Sequence, residues 1–320
     1  FGPFLESARE FLKGAGVSAG PGELLPVQGG SQAWDLLLKA VIEPGDAILA
    51  ESPTFLGALQ AMRTYNAAVI PIATDDRGAI PEDVEEKIRK HRPKLLYVIQ
   101  TFQNPTGRSM PAERRRAVAE VLVRTGVPLL EDDPYGELRF EGGAEPPIGG
   151  MEPARDRTLA LSTLSKVAAP GLRTGWVRAP ASIMRPLVIA KQAADLHTST
   201  VDQAAAAVWL RHTDLPTHIA HLCDVYHERR DALLDGLGDA LPVGTVWNRP
   251  AGGMFVWARL PEKHDAEELL SHAVRHEVAF VPGTPFFAGH PDPRTLRLSF
   301  TTHPPGEIAE GLRRLRAAWA

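Results

Sequence analysis

A single cysteine, Cys223, rules out an internal disulfide and makes a reducing compartment the natural setting. Basic charge is not in excess: 35 Lys and Arg stand against 39 Asp and Glu, a net charge of -4, which leaves no electrostatic footprint for nucleic acid. No apolar run approaches the roughly 18 residues of a membrane span, and no signal-peptide pattern is visible. Repeats and low-complexity linkers are absent as well. The expectation is a soluble, cytoplasmic protein that binds neither nucleic acid nor membrane. Because the chain opens on Phe1 rather than methionine, its native start is expected to lie upstream.

What is present is a core-forming chain. With 320 residues and 44% apolar side chains, it is long enough for two packed domains. Helical spacing from Leu5 to Leu12 stops at Gly14-Ala15-Gly16. Apolar, strand-like segments at 23–27, 47–50, 67–73, 94–100, 127–131 and 158–161 then alternate with amphipathic helical ones at 31–42, 56–65, 81–91 and 112–124. That alternation, punctuated by Gly and Pro, predicts an α/β fold with a mostly parallel sheet between helices. From about residue 204 the pattern changes to long helices through 239, short strands at 255–260 and 296–300, and a closing helix at 307–319. This predicts a large domain over 15–205 and a smaller α+β domain over 206–320, with residues 1–14 packing on the smaller one.

Lys166 stands in Ser162-Thr-Leu-Ser-Lys166, after an apolar strand, with Arg173 seven residues later. An amine held among apolar neighbours near a second cation titrates low and can attack a carbonyl. Thr163, Ser165 and Arg173 would be donors to an anion beside it. The segment reads equally as a surface lysine in a hydroxyl-rich loop. Asn104, Asp132 and Lys166 all follow strands directly, where sheets of this kind bind ligands.

Five stretches in order carry a resemblance: Gly30-Ser31-Gln32, Gln103-Asn-Pro-Thr-Gly107, Glu131-Asp-Asp-Pro-Tyr135, the Lys166 segment and Arg297-Leu-Ser-Phe300. Together they resemble the fold-type I pyridoxal-phosphate (PLP) aminotransferases from about Gly2 to Ala320, nearest the branch of the 2-aminoadipate and kynurenine aminotransferases. The resemblance implies a seven-stranded, mostly parallel sheet in the large domain and a homodimer with shared active sites. It also implies transfer of an amino group from an L-amino acid to a 2-oxo acid by ping-pong half-reactions.

The roles it implies are specific. Lys166 is the Schiff-base lysine and proton carrier, Asp132 faces the protonated ring nitrogen, and Tyr135 and Asn104 donate to the phenolic oxygen. Gly30, Ser31, Gln32, Thr163, Ser165 and Arg173 hold the phosphate, since a helix N-terminus and a guanidinium both suit a dianion. Phe55 stacks on the ring, and Arg297 grips the substrate carboxylate beside Asn104. Simpler readings stand next to these: Ser31 as an ordinary helix cap, Asn104 as a turn residue before Pro105, Phe55 as plain core, Glu131-Asp132-Asp133 as a solvated turn, and Arg294 as a competitor for Arg297. His197, in Asp195-Leu-His-Thr198, resembles a segment near family active sites but reads as structural. The branch usually has Tyr in place of Phe55 and Ser in place of Thr163, and the family's segment before the first helix, which covers the substrate, is not in this sequence. The same ligand set serves a PLP-dependent oxidase or decarboxylase. It also serves the aminotransferase-like effector domain of a GntR-type transcription regulator.

Overall fold

The computed structural model describes residues 1–319. Helix α1 (Gly2–Gly14) leads into strand β1 (Leu24–Val27), α2 (Gly29–Val41), β2 (Ala47–Glu51), α3 (Leu56–Thr64) and β3 (Ala68–Ile72). A short hairpin, β4 (Thr74–Asp75) and β5 (Gly78–Ala79), precedes α4 (Pro81–His91), β6 (Leu95–Val98), α5 (Ala112–Thr125), β7 (Leu129–Asp132), β8 (Thr158–Thr163) and β9 (Gly175–Arg178). Three helices follow, α6 (Ala181–Asp195), α7 (Thr200–His212) and α8 (Leu215–Ala240). The chain closes with β10 (Val246–Trp247), β11 (Phe255–Arg259), α9 (Ala266–Arg275), β12 (Val281–Pro282), β13 (Thr295–Ser299) and α10 (Pro305–Trp319).

Seven strands form one sheet in the order β1-β9-β8-β7-β6-β2-β3. Only β9 runs against its neighbours; the other pairings are parallel. Buried strands of this kind read as continuous apolar runs because helices cover both faces. One face packs Leu130, Leu159 and Leu161 against Trp34, Leu37 and Leu38 of α2 and Leu187 of α6. The other packs Leu96, Val98 and Leu129 against Val84 of α4 and Val118 and Leu122 of α5. Successive residues of β7 point to opposite faces, so Glu131 and Asp132 are separated by the sheet.

A second, antiparallel sheet in the order β10-β11-β13-β12 carries its own core, with Val256, Leu296 and Leu298 against Leu233 and Leu237 of α8 and Leu312 of α10. Helix α8 joins the two regions. His218 near its start lies with Nε2 2.7 Å from the Val167 carbonyl beside Lys166, while its later turns line the small core. The expected division at 205 falls inside α7. Residues 2–14 pack against α7 and the large sheet, where Phe4 and Phe11 meet Trp176 edge-on at 6.0 and 5.5 Å.

The long helices expected through 239 are α7 and α8, separated at Thr213-Asp214, where the Asp214 carboxylate accepts from Thr217 N–H and caps α8. Among the described residues no helix is long and apolar enough to cross a membrane.

Candidate active site

The carboxyl ends of β2, β6, β7 and β8 lie side by side, and the chemical residues sit on the loops that leave them. Ala168 N–H bonds to the Leu164 carbonyl at 2.9 Å, closing a single helical turn around Lys166. The amine is half-buried. Burial lowers its pKa first, and the nearby cations Arg297 and Arg173 lower it further. A lysine in that setting loses its proton more readily than a solvated one, which favours the nucleophilic amine. It is not the solvated loop lysine of the simpler reading.

Asp132, at the last position of β7, is buried, and its Oδ2 accepts from the Tyr97 hydroxyl at 3.0 Å. Burial pushes its carboxyl up to about 7; the Tyr97 hydrogen bond works against that and Asp133 works with it. No cation pairs with it among the described residues. Its neighbours have other work: Glu131 accepts from the N–H groups of Ile148 and Gly149 at 2.7 and 2.8 Å, and Asp133 from Gly136 N–H at 2.8 Å. The run is therefore two buried acceptors and a half-buried one with separate partners, not a solvated turn.

Tyr135 and Asn104 are both buried, and the Asn104 amide donates to the Tyr135 hydroxyl at 3.4 Å. Burial pushes the Tyr135 phenol up, so it keeps its proton and can donate it. Arg297 of β13 donates to Asn104 Oδ1 at 2.7 Å, and its guanidinium is flanked by the rings of Phe255 at 4.1 Å and Phe286 at 5.0 Å. Arg294 is held by both oxygens of Asp292 at 2.8 and 2.9 Å, which removes it as the competitor.

The anion site is assembled from two distant segments. Helix α2 has no side-chain cap at its N-terminus, so the N–H groups of its first turn, Gly29 to Ser31, are open to an acceptor. Arg173 lies against that turn: a Cβ on Gly29, whose φ is +73°, would come within 2.6 Å of its guanidinium. Arg173 Nη2 also donates to the Gln28 carbonyl at 3.4 Å. Thr163 Oγ1 and Ser165 Oγ are 2.9 Å apart at the mouth of the Lys166 turn. The expectation for Gln32 concerns the backbone N–H groups of the helix start and leaves its side chain unassigned. Its side chain faces α6, donating to Asp195 Oδ2 at 2.7 Å and accepting from Lys191 at 2.8 Å, so it offers the anion no side-chain donor.

Phe55 is half-buried at the N-cap of α3 and packs on the core around α2. Its loop is tied to the Asn104 segment by Gln103, which donates Nε2 to the Pro53 carbonyl at 2.7 Å. His197 Nδ1 lies 3.0 Å from the Thr198 carbonyl, a local contact in keeping with a structural role. Sequence reasoning missed Tyr97, Phe255 and Phe286. Tyr97 carried a signal, since a tyrosine inside an apolar strand must find a partner for its hydroxyl.

These residues fit a phosphorylated pyridine aldehyde on three observations. An uncapped helix N-terminus is pressed against an arginine. A buried carboxylate lacks a cation. An amine is held below its usual pKa.

Comparison with known proteins leads to the same family. The model for "Aminotransferase class I and II" matches residues 4–315. Aromatic-amino-acid aminotransferase 1 of Thermococcus litoralis is 41% identical over 298 residues, which cover 92% of this chain and 71% of that protein. The 2-aminoadipate transaminase of Thermus thermophilus is 37% identical over 306 residues, 94% of this chain and 76% of that one. The crystal structure of Pyrococcus horikoshii kynurenine aminotransferase, in complex with PMP, matches at a TM-score of 0.93 and 37% identity over 99% of this chain and 80% of that chain. With the fold, the lysine turn and these relatives in agreement, the chain belongs to the class I and II aminotransferases and is a PLP-dependent enzyme that transfers amino groups between amino acids and keto acids.

Proposed function

We propose that Lys166 is the residue that carries this transfer, acting first as nucleophile and then as proton carrier, in two ping-pong half-reactions on an L-amino acid and a 2-oxo acid. The observation that carries the reading is the half-buried Lys166 amine, held low by burial and by Arg297 and Arg173. Bound here, PLP supplies an aldehyde carbon that takes up and returns an amino group, and a ring that delocalises the electron pair left when the substrate Cα loses a proton. Asp132 supplies the counter-charge for the ring N–H. Tyr135, neutral and already accepting from Asn104, donates its own proton to the ring oxygen. The first turn of α2, Arg173, Thr163 and Ser165 hold the phosphate, and Phe55 covers one ring face. Arg297, with Asn104 on one nitrogen, offers its remaining N–H groups to the substrate carboxylate as a two-pronged donor. The Lys166 amine would act as the proton carrier, taking the proton from the substrate Cα.

The enzyme works as a homodimer in a reducing compartment such as the cytoplasm. The family and the exposed apolar side chains of Ile189, Leu196, Val201 and Val208 along α6 and α7 support this reading. Sedimentation equilibrium tests it, and a monomer at micromolar concentration would overturn it.

The test of the reaction is a single turnover without oxygen. An L-amino acid added to PLP-loaded protein should give one equivalent each of 2-oxo acid and pyridoxamine phosphate. Release of carbon dioxide instead would assign decarboxylase chemistry, release of ammonia only when the test is repeated with oxygen would assign oxidase chemistry, and no conversion in either would assign a binding domain.

A further inference from the structure

We propose that Asp195 and Lys191 of α6 are positioning residues for the cofactor phosphate, holding the first turn of α2 in register with Arg173. The inference rests on reading that turn as the phosphate cradle. Gln28, the N-cap of α2, and Gln32, one turn on, are tied together by Gln28 N–H donating to Gln32 Oε1 at 2.8 Å. Both side chains then reach across to α6. Gln28 Nε2 donates to Asp195 Oδ2 at 3.0 Å and Gln32 Nε2 to the same oxygen at 2.7 Å. Lys191 closes the ring, donating to Gln32 Oε1 at 2.8 Å and to the two Asp195 oxygens at 2.9 and 2.8 Å. The Gln28 carbonyl accepts from Arg173, so a single residue touches both the α6 ring and the phosphate-facing arginine.

Two features set this ring apart from an ordinary tie between packed helices. Asp195 is the last residue of α6, where the helix dipole disfavours a carboxylate, and no basic residue occupies that last turn to compensate. Lys191 is only 3% exposed, a burial lysines tolerate when they are paired. Burial alone would raise the Asp195 pKa, yet the Gln32 hydrogen bond and Lys191 keep it below the ordinary carboxylate value, so the acceptor stays charged. The geometry also explains why α2 has no side-chain cap. The N-cap side chain, Gln28, is turned to Asp195, and the N–H groups of Gly29, Gly30 and Ser31 are left for an anion.

The test compares PLP with pyridoxal, which lacks the phosphate, as ligands of the cofactor-free protein in wild type, Asp195→Asn, Lys191→Met and Gln32→Ala. Gln32→Ala leaves the buried pair intact, so it reports even where the other two fold poorly. Equilibrium dialysis gives the affinities, and circular dichroism checks the fold. Each variant should bind PLP roughly tenfold more weakly, the size of one charge-assisted hydrogen bond, with pyridoxal affinity unchanged. The Asp195→Asn/Lys191→Met pair should be no worse than the weaker single change, because both break one network. Equal losses for PLP and pyridoxal, or no loss of PLP affinity, would overturn the positioning role while leaving the cradle in place. A wild type that binds PLP no more tightly than pyridoxal would overturn the cradle itself, and the inference with it.

Discussion

Arg297 Nη1 donates to Asn104 Oδ1 at 2.7 Å across 193 residues of sequence, so the small sheet and the β6 loop meet at the carboxylate site proposed above. The other end of that amide donates to Tyr135, and aromatic rings flank the guanidinium. The plane of Arg297 is thereby fixed before any substrate arrives.

Arg297→Lys is therefore not conservative. An ammonium cannot make the two-pronged pair, and two rings that suit a flat guanidinium suit a lysine poorly. KM should rise for the amino acid and the 2-oxo acid alike by about 100-fold, or about 3 kcal/mol of carboxylate recognition. Steady-state kinetics of both half-reactions checks this; an unchanged KM would remove Arg297 from the carboxylate site.

Borohydride treatment of PLP-loaded wild type should fix the cofactor to the peptide carrying Lys166, read by mass spectrometry. Lys166→Ala should still bind PLP through the phosphate and Asp132 contacts but take no label, with kcat down by at least about 1,000-fold for loss of nucleophile and proton carrier together. Turnover at the wild-type rate would refute the role.

Asp132 gives a pH-dependent prediction for the cofactor-free protein. Burial pushes its carboxyl up to about 7 in the fold, from an ordinary value of 3.8. Ionising it therefore opposes folding: the penalty is absent below the unfolded value, grows as pH rises from about 4 to 7, and is complete above that. Asp132→Asn removes the penalty. At pH 8 the cofactor-free variant should be more stable than wild type, by no more than roughly 4 kcal/mol, and the advantage should fade toward pH 4. PLP affinity and turnover should fall at the same time. A stability difference that does not vary with pH would contradict the assignment.

Gly29→Ala places a Cβ within 2.6 Å of the Arg173 guanidinium, at a backbone φ of +73° that L side chains rarely adopt. The variant should lose about 1 kcal/mol of stability and bind PLP several-fold more weakly, while pyridoxal affinity is kept. Thermal melts and paired titrations measure both.

Much of this was legible in the sequence because a parallel sheet writes its strands as short apolar runs and its ligand loops directly after them. Lys166, Asp132 and Asn104 could be placed that way. Helix α6 was not read, because Pro186 lies inside it and a proline interrupts the expected hydrogen-bond pattern. Helix α9 carried a usable signal: Asp265 caps the N–H groups of Glu267 and Glu268. Gln32 was placed in the right turn for its backbone, but nothing in the sequence showed that its side chain serves α6. Arg294 and Arg297 could not be separated by spacing; the Asp292 pair of Arg294 separates them.

The sequence by itself determined which chemical groups are available and in what order they leave the sheet, since that follows from residue type and from the period of the apolar pattern. The tertiary structure decided what those groups are. The Lys166 amine is lowered by burial and then by two arginines, 7 and 131 positions away. Asp132 is raised by burial on one face of a strand, while Glu131 on the other face binds backbone N–H groups. The α2 turn is set by Arg173 and, through Gln28 and Gln32, by α6. Charge and hydrogen-bond energies depend on distance and on exclusion of water, and both are fixed only when distant segments pack together.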